Sequence, residues 1–269
     1  MTRAATTIGI LLTLAACASR AEDPSSSTED VTAADAKVEI KMALAEADTG
    51  PALLGADPKD AELREVTFYD TVALSLFDRG IILRARQVEG DDDDATVKLR
   101  PFVESDVAGR FLAEDDFKCE LDKSVGKDAT SSCSFTTIAN EGEIARAASG
   151  QRPIEGLFTN EQLAFLGEHA PGGAPDWSSV KALGPIPAEV WKLEPDAMDG
   201  EKVTIERWSL PGAAPSLEVS VKVKGKDAAE AERALVAWVS SRGLTASSAQ
   251  ESKTRTALEA LTKGAATYR

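Results

Sequence analysis

A period-two alternation of charge and apolarity constrains this chain more than any other feature. Side chains two apart on an extended strand share a face, and several segments put charges on one face and aliphatic groups on the other. In AKVEIKMAL, residues 36–44, Lys37, Glu39 and Lys41 alternate with Val38, Ile40 and Met42. Arg84 and Arg86 flank the face opposite Leu83, and Lys98 and Arg100, with Thr96, the face opposite Val97 and Leu99. Lys118, Glu120 and Asp122 alternate with Leu121, and Glu218, Ser220 and Lys222 with Val219 and Val221. Read strand by strand, a charged face toward solvent is ordinary for a half-buried sheet. The sign of the charge argues for more. These positions carry eight basic and four acidic groups, in a chain whose formal net charge is −15. Basic charge gathered on one side of several strands suits a pore or cleft for a polyanion. There, Arg and Lys hold phosphate oxygens and carboxylates hold a divalent cation. The overall acidity argues against nucleic acid as a partner, which needs a basic outer face.

The remaining segments supply the elements between these faces. EVTFYDT (65–71) reads as a strand and ALSLFDRG as a short helix ending at Gly80; IILRARQV (81–88) and ATVKLRPF (95–102) read as a hairpin. Its tip, GDDDD (90–94), is a solvated turn, because the aspartates lack the separated spacing of a calcium loop. FKCELDKSV (117–125) and SCSFTTIA are strand-like. EGEIARAAS and TNEQLAFLGEHA read as helices, the second with Thr159 as N-cap and Gln162 three residues on. KALGPIPAEVWKLE, KVTIERWSL and SLEVSVKVKG give further strands. A helix is expected over 227–242, with Ala231, Ala234, Leu235 and Trp238 on one face and Gly243 as its stop. A last helix begins near Lys253. Strands returning by short connections, with helices between and after them, indicate an antiparallel α+β fold. His169 stands alone and fits a loop or surface role; the four tryptophans fit the core.

The first 17 residues, MTRAATTIGILLTLAAC, read as a secretory signal: Arg3, a short apolar run, then small residues before Cys17. The run is too short to span a bilayer, which takes about 20 residues. Leu14-Ala15-Ala16-Cys17 resembles the lipobox of bacterial lipoproteins, which implies cleavage before Cys17 and lipidation of its thiol. Residues 18–34 are polar and read as a flexible tether, leaving 35–265 as the folded domain. The expected location is the cell envelope, with a lean to the outer membrane because Ala18 follows the cysteine. Cys119 and Cys133 remain, and in an exported chain a bridge between them is the expectation, with two unpaired thiols as the alternative.

The middle of the chain resembles the CYTH domains, or triphosphate tunnel metalloenzymes. The resemblance covers most of residues 35–262. The opening signature of that family, E-x-E-x-K, is similar to KVEIK here, which keeps Glu39 and Lys41. FYDTVALSLFDRGIILRAR follows the next family block through Tyr69, Asp70, Thr71, Leu74, Gly80, Leu83, Arg84 and Arg86. TVKLR resembles the lysine strand with Lys98 and Arg100 inward, and KCELD the acidic strand with Glu120 and Asp122. TIERW resembles a later strand on which Arg207 is the candidate tunnel arginine, and SLEVSVK the late carboxylate strand. The resemblance implies an antiparallel sheet of about eight strands closed into a tunnel, with flanking helices. It further implies a triphosphate on basic groups and Mg²⁺ or Mn²⁺ on acidic ones.

On that reading Lys41, Arg84, Arg86, Lys98 and Arg100 are the catalytic clamp. Lys118 and Arg207 join them in holding substrate, and Glu39, Glu120, Asp122 and Glu218 are the metal ligands. Two positions depart from the pattern: Lys37 replaces a glutamate and adds cationic charge, and Ser220 stands where another carboxylate is expected. Losing oxygen ligands weakens a hard-cation site. Three functions therefore compete: a metal-dependent triphosphatase, a non-catalytic lipoprotein holding a phosphorylated small molecule or polyphosphate, and a structural envelope protein whose charges pair internally.

Overall fold

The computed structural model describes residues 35–248 and 250–266, so Cys17, the signal and the tether lie outside the described residues. Nine strands form one closed barrel: β1 (Lys37–Leu44), β2 (Glu62–Asp70), β3 (Ile81–Val88), β4 (Asp94–Leu99), β5 (Phe117–Ser124), β6 (Thr130–Ile138), β7 (Lys181–Leu193), β8 (Val203–Trp208) and β9 (Ser216–Lys224). Around the ring they run β1-β5-β6-β4-β3-β2-β7-β8-β9. The expectation of about eight antiparallel strands is corrected on both points. An odd number of strands cannot close with every junction antiparallel. One junction must be parallel, and it is β1 with β5, where Val38 faces Leu121 and Glu39 faces Asp122.

The alternation read from the sequence sorts the two surfaces of this barrel. On β1, Val38, Ile40, Met42 and Leu44 are buried on the outer face, packed with Val203, Ile205, Leu217, Val219 and Val221. Helix α3 (Ala228–Ser241; α1 and α2 are given below) covers them with Ala231, Leu235, Trp238 and Val239. Each large aliphatic side chain fully buried in this way contributes about 1.5–3 kcal/mol. Its chain leaves at Gly243, whose φ of 75° suits only a residue without Cβ strain.

Two helices cover the other outer surface: α1 (Glu143–Ala148) and α2 (Asn160–His169). Phe165 and Leu166 of α2 pack on Leu83, Val97 and Phe135. The expected capping box is present, Thr159 accepting from Gln162 N and Gln162 Oε1 from Thr159 N. Gln162 is fully buried, and its Nε2 donates to the carbonyls of Ala95 and Phe135, tying the helix to β4 and β6. His169 ends this helix, half-buried against Phe102, Phe111 and Phe165, so it is helical where a loop was one expectation and keeps a partly exposed position.

Two local devices aim the strands. Asp70 accepts hydrogen bonds from the backbone N–H groups of Thr71, Leu76 and Phe77, which locks the short helical turn Ser75–Asp78 ahead of β3. Gly80 then passes so close to β4 that a Cβ would sit 2.4 Å from the Arg100 carbonyl oxygen. The last helix, α4 (Lys253–Ala266), places Ala257, Leu258 and Ala260 against Val66, Phe68, Ile186 and Trp208, closing one end of the barrel. Among the described residues, no helix is long and apolar enough to cross a membrane.

Candidate functional site

The barrel encloses a cavity of about 510 Å³. Its wall takes Glu39 and Lys41 from β1, Arg64 from β2, Arg84 and Arg86 from β3, and Lys98 from β4 with Arg100 just beyond it. Lys118, Glu120 and Asp122 come from β5, Glu206 and Trp208 from β8, and Glu218 and Lys222 from β9. The lining holds eleven basic and six acidic side chains, so the interior is net basic within an acidic protein. The charged faces read from the sequence therefore turn inward, and the aliphatic faces outward under the helices.

The carboxylates sit together. Glu39, Glu120 and Asp122 each offer an oxygen within 4.8 Å of the others. Cations surround them: Lys41 Nζ is 2.6 Å from Asp122 and 2.9 Å from Glu39, and Lys98 Nζ is 2.8 Å from Asp122 and 3.7 Å from Glu120. Lys222 Nζ lies 3.0 Å from Glu120, and Arg100 is 3.8 Å from Asp122. Ser132 Oγ donates to the same Asp122 oxygen at 2.9 Å. Asp122 is 1% exposed, and burial alone pushes its carboxyl up, but Lys41 and Lys98 outweigh that and hold it well below the usual range. Burial likewise opposes the Lys41 ammonium, yet Glu39 and Asp122 raise it. Lys98 is shifted the other way, lowered by burial and by Lys41 more than Asp122 restores.

A second acidic pair lines the cavity where Glu206 and Glu218 face each other in register on β8 and β9, the latter adjoining β1. Lys253, at the start of α4, pairs with Glu206, lies 3.2 Å from Glu218 and stacks 4.7 Å above the Trp208 ring. Burial would raise the Glu206 carboxyl; Lys253 and Arg84 bring it down to about 2.

Among the described residues of the cavity wall, Arg84 is a cation outside these ion pairs. Its buried Nε has no hydrogen-bond partner among the described residues. Burial and then Arg86 push its guanidinium down to about 10, so it stays charged at neutral pH. Its neighbour Arg86 is engaged, making a forked contact to Asp94 at 2.5 and 2.9 Å.

Other expected site residues fall elsewhere. Arg207 is outside the cavity, bonded to the Ala47 carbonyl, Asp48 and Glu189. It shares a strand face with Val203 and Ile205, so the charged residue of TIERW that reaches the interior is Glu206, between Thr204 and Trp208 on the same face. Lys37 is exposed at the start of β1, opposite Lys224, and adds no charge to the cavity lining. Glu218 stands with Glu206 and Lys253 rather than in the group of three carboxylates. Lys118 sits at the rim, 3.9 Å from Glu120. Cys119 and Cys133 are bridged, facing each other across β5 and β6.

The sequence reading passed over Arg64, Glu206 and Lys253. Arg64 lay ahead of the expected start of β2, and strict alternation with Val203 and Ile205 was the signal available for Glu206. Nothing local marked Lys253, whose place depends on α4 folding back over the barrel end.

The three clustered carboxylates suit a divalent cation in donor type and spacing, since hard cations take several carboxylate oxygens. Each of those groups also holds ammonium contacts that an incoming cation must displace.

No protein-family model matches the chain, and no curated protein sequence does. Solved structures do. A Bacillus halodurans protein described as a candidate adenylate cyclase superposes with a TM-score of 0.55 at 12% identity, over 82% of this chain and 97% of its own. A Hippeastrum protein, described as a candidate adenylyl cyclase with a dominant triphosphatase activity, does so with a TM-score of 0.55 at 15% identity, over 81% and 92%. At these identities the likeness shows a shared fold: a closed tunnel-type barrel with flanking helices, as the sequence resemblance implied.

Proposed function

We propose that this chain binds a triphosphate, or a related phosphorylated polyanion, inside the barrel. The observation that carries the reading is the buried Arg84 guanidinium, unpartnered at Nε, in a cavity whose lining is net basic. An unpaired buried donor costs free energy that a phosphate oxygen recovers. Lys98, Arg100 and Lys41 line the same cavity as Arg84 and are further phosphate ligands, while Asp122 fixes where their charges sit. The described activity of the Hippeastrum protein that shares this fold supports the same ligand class.

A second reading, metal-supported hydrolysis of the bound triphosphate, is favoured by the Glu39, Glu120 and Asp122 group. Those three would hold Mg²⁺ or Mn²⁺, which when bound would polarise the phosphoryl oxygens and neutralise charge on the departing group. The residues of the chain orient the phosphates and exclude bulk water.

The chain is further proposed to be exported and anchored by lipid on Cys17. The lipobox-like end of its apolar leader supports this, as does a disulfide of the kind that persists outside reducing compartments. Loss of labelled fatty acid on Cys17→Ser would establish the anchor; equal labelling would refute it.

The function is tested by calorimetric titration with inorganic triphosphate and ATP, alongside phosphate release with Mg²⁺ or Mn²⁺. Binding with release supports the hydrolytic reading, and binding without release the capture reading. Neither binding nor release would sink both and leave the charges a structural network.

A further inference from the structure

Lys222 pairs with Glu39 and Glu120, two of the three carboxylates that a divalent cation at this group would need. Register puts it there, because Lys222 lies directly opposite Glu39 across β1 and β9. Its Nζ is 3.0 Å from Glu120 Oε2 and 3.8 Å from Glu39 Oε2. Lys41 closes the other side, touching Glu39 and Asp122, and Lys98 reaches Asp122 and Glu120. Every carboxylate of the group is thus already within ion-pair distance of at least two ammoniums.

A divalent cation binds by collecting several carboxylate oxygens at once, and its affinity falls with each ligand withheld. An ammonium supplies one positive charge to the same oxygens without that coordination requirement. Lys253 repeats the arrangement at the second acidic pair, between Glu206 and Glu218. The cations pairing these carboxylates outnumber them at the three-carboxylate group, where Lys41, Lys98, Lys118, Lys222 and Arg100 meet three acids. The surplus, with Arg84, is available to a ligand.

We propose that the tunnel binds its polyanion without a divalent cation, Lys222 supplying at the carboxylate group the charge that a metal would bring. This inference rests on the polyanion reading above and concerns how that ligand is held. It makes Lys222 a binding determinant that faces both the carboxylates and the ligand.

The test is calorimetry with inorganic triphosphate in excess EDTA and again in excess Mg²⁺, on the wild-type chain and on Lys222→Gln. The wild type should bind in EDTA within about threefold of its affinity in Mg²⁺, and Lys222→Gln should lose about tenfold in EDTA. Wild-type binding only in Mg²⁺ would overturn this inference while leaving the polyanion reading intact. Absence of binding in both conditions would remove that reading and this inference with it. A second measurement needs no variant: Mn²⁺ alone, followed by electron paramagnetic resonance, should stay free beside the wild-type chain. Stoichiometric Mn²⁺ uptake would show that Lys222 does not hold the site.

Discussion

Lys41 Nζ meets Asp122 Oδ1 at 2.6 Å, joining two strands through residues 81 positions apart at the one parallel junction of the barrel. The same carboxylate holds Lys98, so Asp122 is the shared counter-ion of two lysines aimed into the cavity. Removing one member of a buried ion pair leaves the other uncompensated, at a cost of about 3–5 kcal/mol. Asp122→Asn should therefore lower stability by about 3 kcal/mol in urea unfolding. It should also tighten triphosphate binding, because both lysines lose their competing anion. A variant as stable as the wild type, with unchanged affinity, would show that Asp122 does not organise the cations.

Acid should dismantle the network in a defined window. Glu206 is held at about 2 against an ordinary 4.5, and Asp122 and Glu120 are also depressed. A carboxylate depressed in the folded state stabilises above its unfolded value and loses that contribution as pH falls through the folded one. For Glu206 the contribution is full above about pH 4.5 and fades toward pH 2. Unfolding free energy measured from pH 6 to pH 2.5 should fall below pH 4.5, and Glu206→Gln should flatten that part of the curve. An identical slope in the variant would contradict the assignment.

The Cys119–Cys133 bridge closes a short loop, at a sequence separation of 14. A cross-link over a loop of this size contributes about 3 kcal/mol in the chain-entropy account. Reduction, or Cys119→Ser with Cys133→Ser, should lower the thermal midpoint. Triphosphate affinity should be retained, because the bridge lies on the β5 and β6 wall away from Arg84. Lost affinity in a folded, reduced protein would mean that the bridge positions Glu120 and Asp122.

Much of this fold was legible because its alternation is strict. On β1 and β9 the charged and aliphatic sets separate residue by residue, and register then carries Glu39 to Lys222 and to Asp122. Where a strand breaks alternation, the sequence misleads. TIERW offers Glu206 and Arg207 side by side, and the basic residue drew attention although its face belongs with Ile205 on the outside. The nine strand segments are each readable in the sequence, and the figure of about eight came from the resemblance; the parallel junction of β1 with β5 depends on closure, which no linear reading shows. Gly184 and Pro185 interrupt KALGPIPAEVWKLE, yet β7 runs through them over a bulge opposite β2, where Gly184 lies too close to the Val66 carbonyl for a side chain. Lys253 escaped notice because its partners come from β8 and β9, brought near only when α4 packs over the barrel end.

The central claim is that the barrel interior is built for a polyanion, and Arg84 tests it most directly because its buried Nε has no hydrogen-bond partner among the described residues. The measurement is the dissociation constant for inorganic triphosphate by calorimetry, wild type against Arg84→Ala, with urea unfolding of both as a control. Loss of one charged hydrogen-bond donor to phosphate should weaken binding about 10- to 100-fold, with stability unchanged or improved. Equal affinity in the two proteins would contradict the claim and place the ligand, if one binds, outside the tunnel.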